Sequence, residues 1–165
     1  MRNNLLIFAL GQFFLILIFS VFLIYLHLSS AVEEVVYDHF ALRLIPVIFA
    51  AAIYLFLGKF MNVRGFTDSL LTLLLPALIW GIFLAIAHFG GGNESFVRGA
   101  FRSLWRFPAD VTMLPQMAAL SLLRLNQSPA VYAGCAIIPQ VLSILAAAKG
   151  PAKYRSRRKN RRNKK

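Results

Sequence analysis

Three histidines are the side chains of this sequence best suited to chemistry at one site. His27, His39 and His88 each stand at the end of an apolar stretch, and three carboxylates lie between residues 33 and 38. Imidazole together with carboxylate suits zinc, and imidazole titrates near neutral pH. The spacing matches no metal-binding motif, so a metal or pH-responsive site requires the ends of three helices to meet. The alternative is that each histidine is an ordinary interfacial residue.

A stripe of arginines between two apolar stretches is a second candidate site. Glu94, Arg98, Arg102 and Arg106 recur every four residues, which places them on one face of a helix. Apolar residues, including Trp105, fall largely on another face, so the pattern predicts an amphipathic helix in the membrane interface. The arginines are candidates for binding lipid headgroup phosphates or an anionic partner, and a solvated helix face is the alternative.

Prolines and side-chain amides interrupt the apolar stretches. Pro46, Pro76 and Pro139 each remove a backbone donor and free a carbonyl group. Transporters use such broken helices to coordinate substrates, and Gln140 places an amide directly beside one of the breaks. Gln12 is a second amide within an apolar stretch. Helix kinks and packing for the prolines, and a hydrogen bond between helices for Gln12, are the structural explanation, which we favour.

No enzyme motif accompanies these residues. The sequence contains no Gly-rich phosphate loop, no HExxH and no Gly-x-Ser-x-Gly, and its single cysteine, Cys135, lies within an apolar stretch. We therefore expect a non-enzymatic protein with no cofactor.

The elements that position these side chains require lipid as their solvent. The chain is 59% hydrophobic and 15% charged, whereas soluble domains carry about 25% charged residues. Four stretches, residues 5–28, 40–58, 68–89 and 129–148, can each cross about 30 Å of hydrocarbon as a helix. The first exceeds the core of a signal peptide, so we expect it to be retained, although cleavage stays open. The prediction is an all-α integral membrane protein with one four-span domain over residues 1–148.

Residues 94–125 form an irregular region before the last span. The predicted amphipathic helix ends at Pro108, and the apolar run 111–123 is too short to cross and contains Pro115. We interpret this run as a re-entrant or shallow interfacial segment, and buried packing against the bundle is the alternative.

The basic residues predict the orientation. Ten of the 18 lie in a tail over residues 149–165, which we expect to be disordered on its own. Basic loops favour the cytoplasm, so the pattern predicts a plasma membrane protein with both termini cytoplasmic. The tail is suited to anionic lipid, to an acidic protein partner or, less readily, to RNA or the ribosome. Its candidate binding side chains are Lys153, Arg155, Arg157, Arg158, Lys159, Arg161 and Arg162.

Two functions fit this pattern. The absence of motifs and the small extramembrane mass favour a non-enzymatic accessory or regulatory subunit of a membrane complex, or a homo-oligomer. The alternative is a small transporter or lipid-handling, flippase-type protein that uses the intramembrane prolines and the arginine stripe.

Overall fold

Four long apolar helices form the body of the protein. A computed structural model describes residues 2–61, 66–97 and 101–149 of the chain. Its long helices are α1 (Arg2–Leu28), α3 (Phe40–Phe60), α4 (Phe66–Gly91) and α8 (Pro129–Lys149). Each is long and apolar enough to cross a membrane, which agrees with the four predicted spans of a multi-pass membrane protein. The basic tail beyond Lys149 lies outside the described residues.

The outer surfaces of these helices are apolar. Val21 on α1 and Ile48 on α3 are 69% and 61% exposed, and large apolar side chains line the remaining outward faces. Water would make such a surface prone to aggregate, whereas lipid tails solvate it. The surface pattern therefore agrees with a protein embedded in a bilayer.

The short helix α2 (Ser30–Asp38) joins α1 to α3 and identifies one end of the bundle. We call the end that carries α2 the α2 face, and the end where α8 finishes at Lys149 the tail face. The break between α2 and α3 lies at His39, whose backbone is extended.

The predicted amphipathic helix before the last span is not continuous in the described residues. Only α5 (Glu94–Val97) is helical there, and residues 101–106 form turns and bends. Phe101 has a φ of 61°, a left-handed conformation that a helix does not contain. Its N–H donates to the Asp110 carboxylate at 2.7 Å, so a tertiary hydrogen bond replaces a helical one. Arg98 lies outside the described residues.

Two further short helices, α6 (Phe107–Thr112) and α7 (Leu114–Leu122), form a hairpin inside the bundle. Most side chains of α7 are buried, and the helix packs against α1 and α3. The hairpin returns to the α2 face, where Tyr37 of α2 lies 3.4 Å from Ser121 between hydroxyl oxygens. Residues 114–122 are therefore packed against the bundle, and their depth relative to a bilayer stays a prediction.

The tip of this hairpin reaches deep into the bundle. It contacts Gln12 and Tyr54 through the segment from Thr112 to Gln116. At 1.5 Å of rise per residue, Gln12 lies about 24 Å along α1 from Leu28, and Tyr54 lies about 21 Å along α3 from Phe40. The hairpin tip therefore lies well away from the α2 face, far along both α1 and α3.

Candidate functional site: an apolar groove beside a buried polar network

A closed network of hydrogen bonds lies where the hairpin tip meets α1 and α3. The Gln12 amide donates to the Thr112 carbonyl oxygen at 2.7 Å, and it lies 3.4 Å from the Gln116 side-chain oxygen. The Tyr54 hydroxyl donates to the Gln12 side-chain oxygen at 2.5 Å and accepts from the Gln116 amide at 2.8 Å. All three side chains are buried.

This network explains why polar residues occur in otherwise apolar segments. A buried amide without partners is expensive where no water is available, and here the two glutamines and the tyrosine satisfy one another. Hydrogen bonds between membrane helices contribute about 0.6–2 kcal/mol each. The network therefore attaches the hairpin to α1 and α3. A hydrogen bond between helices is the structural role that the sequence suggested for Gln12.

An apolar groove of about 200 Å³ runs beside this network, between α3, α7 and α8. Tyr54 and Gln116 lie at its deep end, and Leu123 and Leu125 lie where α7 returns to the α2 face. Almost all of its other lining atoms are carbon. The remaining lining residues are Val47, Ala50, Ala51, Pro115, Ala119, Leu120, Cys135, Ile138, Pro139 and Leu142.

Two arginines stand close in the chain to groove-lining residues near the α2 face. Arg43 precedes the lining residue Val47 by four positions on α3, so the two share a helix face. Its guanidinium lies 5.5 Å from the centre of the Phe40 ring. Arg124 stands between two lining leucines, and its guanidinium lies 5.6 Å from the centre of the Tyr37 ring.

A buried ion pair stabilises the turns before the hairpin. Arg106 and Asp110 side chains are both 0% exposed, and their Nε and Oδ1 atoms are 2.8 Å apart. The Arg106 guanidinium also donates to the Phe96 carbonyl oxygen at 2.8 Å and lies 3.4 Å from the Tyr132 hydroxyl. Asp110 lies outside the four spanning helices. Burial raises the pKa of its carboxyl group above the ordinary value, and the Phe101 N–H and the Arg106 charge only partly oppose this rise.

The arginine stripe predicted from the sequence is consequently not a single exposed face. Arg106 is the fourth member of the pattern by spacing, yet its charge is neutralised by Asp110 within the protein. Arg102 is exposed. Arg106 is buried because the turns at residues 101–106 direct its side chain between Phe96 and Tyr132.

The three histidines do not come together. His27 lies 3.7 Å from the Glu33 carboxylate, and His39 lies 3.0 Å from the Val35 carbonyl oxygen through Nδ1. His88 contacts aromatic rings at the end of α4. Within the described part of the chain, no three metal-ligating side chains form a group, so the geometry does not support the predicted metal site.

The intramembrane prolines leave their helices continuous. Pro46, Pro76 and Pro139 lie inside α3, α4 and α8, so none of them is a chain break of the kind predicted for a substrate site. Gln140 is 1% exposed, and neither atom of its amide has a hydrogen-bond partner in the described residues.

Several residues of the site were not singled out from the sequence. Tyr54 and Gln116 bond to Gln12, and Asp110 pairs with Arg106. All three lie in segments otherwise rich in apolar residues. A polar residue in such a segment is itself a signal, because it requires a buried partner. Which residue is the partner depends on the tertiary structure.

Comparison with known proteins adds no further assignment. No family model, no curated protein and no solved structure matches the chain. The groove, the two arginines close to its lining in the chain and the polar network are therefore the basis for a functional proposal.

Proposed function

We propose that this protein is a non-enzymatic, lipid-handling protein that binds one acyl chain of a membrane lipid in the groove between α3, α7 and α8. The observation that carries the proposal is the groove itself, which is apolar along its length and has a volume of about 200 Å³. Ligand sites commonly combine an apolar lining with a few polar groups. Tyr54 and Gln116 are the polar groups at the deep end.

The groove suits retention of a lipid better than passage through the protein. Its deep end meets the Gln12–Tyr54–Gln116 network, in which the polar atoms bond to one another. A chain that enters from the α2 face therefore meets a closed floor. Its volume also favours a single acyl chain over both chains of a phospholipid.

The orientation and location remain those proposed from the charge distribution. We place the protein in the plasma membrane with both termini in the cytoplasm, because the basic residues concentrate on the tail side. The tail would then lie on anionic lipid, with about 1 kcal/mol for each basic residue near the surface. Binding of a tail peptide to anionic vesicles and to RNA, across salt concentrations, separates this role from contact with nucleic acid.

Adjacent alanines on α3 provide a test of the groove. Ala51 lines the groove, whereas Ala52 is exposed on the lipid-facing surface. In protein carrying Ala51→Phe, we expect labelling of the groove by a phospholipid with a diazirine on one acyl chain to be lost. Ala52→Phe adds the same ring one position along the helix and leaves labelling unchanged. Equal labelling of α7 and α8 peptides in both variants would refute the proposal.

An accessory or regulatory subunit is the second candidate. Gly81 on α4 and Gly134 on α8 are exposed, and a Cβ added at either position would meet nothing within 4 Å. Small residues let membrane helices approach closely, so these faces suit a partner helix or a second copy of the chain. Disulfide cross-linking between copies carrying Gly81→Cys or Gly134→Cys tests the homo-oligomer. A cysteine-free background (Cys135→Ala) removes the native thiol.

A further inference from the structure

Arg43 lies one helical turn before the groove-lining residue Val47 and carries a donor without a partner among the described residues. Its Nε atom is buried and has no hydrogen-bond partner in the described part of the chain. The guanidinium faces the Phe40 ring, which attracts the cation but accepts no conventional hydrogen bond. The Nε itself has no exposed surface, so a ligand would be attracted by the charge of the half-buried guanidinium, and a cation of this kind favours an anion with oxygen acceptors.

Arg124 presents a second guanidinium, between the lining residues Leu123 and Leu125. Arg124 follows α7, and its φ of 53° is a left-handed backbone conformation that directs the chain out of the hairpin. Its hydrogen bond to the Tyr37 carbonyl oxygen is long, at 3.4 Å. A guanidinium has five N–H donors, so most of its binding capacity remains for an added ligand.

The acidic residues of the α2 face do not neutralise these two arginines. Glu33 pairs with His27, while Glu34 and Asp38 are exposed to solvent. Among the described residues, neither Arg43 nor Arg124 is within ion-pair distance of a carboxylate. Two positive charges without a carboxylate partner among these residues therefore lie close in the chain to the groove lining.

We infer that the bound lipid is an anionic phospholipid whose phosphate is held by Arg43 and Arg124 while one acyl chain occupies the groove. This inference rests on the proposed function and adds the chemical class of the headgroup. Guanidinium groups bind phosphate oxygens in a bidentate manner. A zwitterionic headgroup would bring an ammonium group to the same two cations, so the charges select lipids with a net negative headgroup.

Native mass spectrometry of the full chain tests the headgroup. Protein extracted from vesicles of equal phosphatidylglycerol and phosphatidylcholine should retain phosphatidylglycerol with about tenfold enrichment, as expected for one or two charge-assisted hydrogen bonds. In the double variant R43Q/R124Q, that enrichment falls to near one. The single variant R124Q changes an exposed residue and should lower the enrichment without affecting folding. R43K/R124K keeps both charges but loses the bidentate geometry, and retains part of the preference.

Two controls separate the possible failures. K59Q removes a positive charge from the opposite end of α3 and leaves the enrichment unchanged. A51F removes retained lipid of both kinds if the groove binds an acyl chain, and unchanged retention in A51F refutes the groove. If A51F removes lipid while R43Q/R124Q keeps the enrichment of the unaltered protein, the groove stands and the assignment of the two arginines is wrong. Circular dichroism of each variant in detergent verifies that the helices are intact.

Discussion

Replacing Asp110 by asparagine removes the negative charge that pairs with the buried Arg106. Both side chains are 0% exposed, and the Nε–Oδ1 distance is 2.8 Å. The amide of asparagine can still accept one hydrogen bond through its oxygen. Its nitrogen cannot accept from the Phe101 N–H, which donates to Oδ2 at 2.7 Å in the native protein. The variant thus loses both the countercharge and one acceptor.

The expected destabilisation is large. Breaking a buried ion pair from one side leaves an uncompensated charge and lowers the free energy of unfolding by about 3–5 kcal/mol. Arg106 keeps its hydrogen bond to the Phe96 carbonyl oxygen, so its position is held while the countercharge of Asp110 is removed. We therefore expect Asp110→Asn to lie within that range.

The assay is reversible unfolding in mixed micelles, titrated with dodecyl sulfate and followed by circular dichroism. Glu34→Gln makes the same carboxylate-to-amide change at an exposed position, and should change the free energy of unfolding by less than about 0.5 kcal/mol. The double variant Arg106→Met, Asp110→Leu removes both charges and should be less destabilised than Asp110→Asn alone. A loss below about 1 kcal/mol for Asp110→Asn would refute the buried pair.

Three further substitutions test the packing of the bundle, with the free energy of unfolding measured in the same assay. Tyr54→Phe removes a hydroxyl that makes two hydrogen bonds, and should destabilise by about 1–2 kcal/mol; no change would mean that the network does not form. Gly58→Ala places a Cβ against the Ser143 carbonyl oxygen and should cost about 1–3 kcal/mol, whereas Gly134→Ala meets no atom and should be neutral or stabilising. Gln140→Leu removes a buried amide without partners and should stabilise by about 1–3 kcal/mol; destabilisation would indicate that the amide has a partner, such as buried water.

The spanning helices follow from the sequence because lipid allows few alternatives. Within a bilayer, each backbone polar group needs an internal partner, so a long apolar stretch becomes a helix whatever surrounds it. The predicted span 129–148 and the observed α8 (Pro129–Lys149) accordingly agree closely. Length alone also excluded the run 111–123 as a fifth span.

The position of Arg106 could not be decided from spacing. Four-residue intervals connect it both to Arg102, which predicts an exposed stripe, and to Asp110, which predicts an ion pair. Both patterns obey the same helical geometry. The turns at residues 101–106 and the contacts with Phe96 and Tyr132 select the second, and these contacts join segments distant in the sequence.

The sequence by itself determined the solvent, the helical class and the number of spans, because these depend on local apolar length and composition. Only the tertiary structure decided that the hairpin reaches Gln12 and Tyr54, since each of those polar residues had many possible partners. The groove likewise arises where α3, α7 and α8 fail to fill the space between them. A cavity of that kind is a property of packing between separate helices, and no single stretch of residues encodes it.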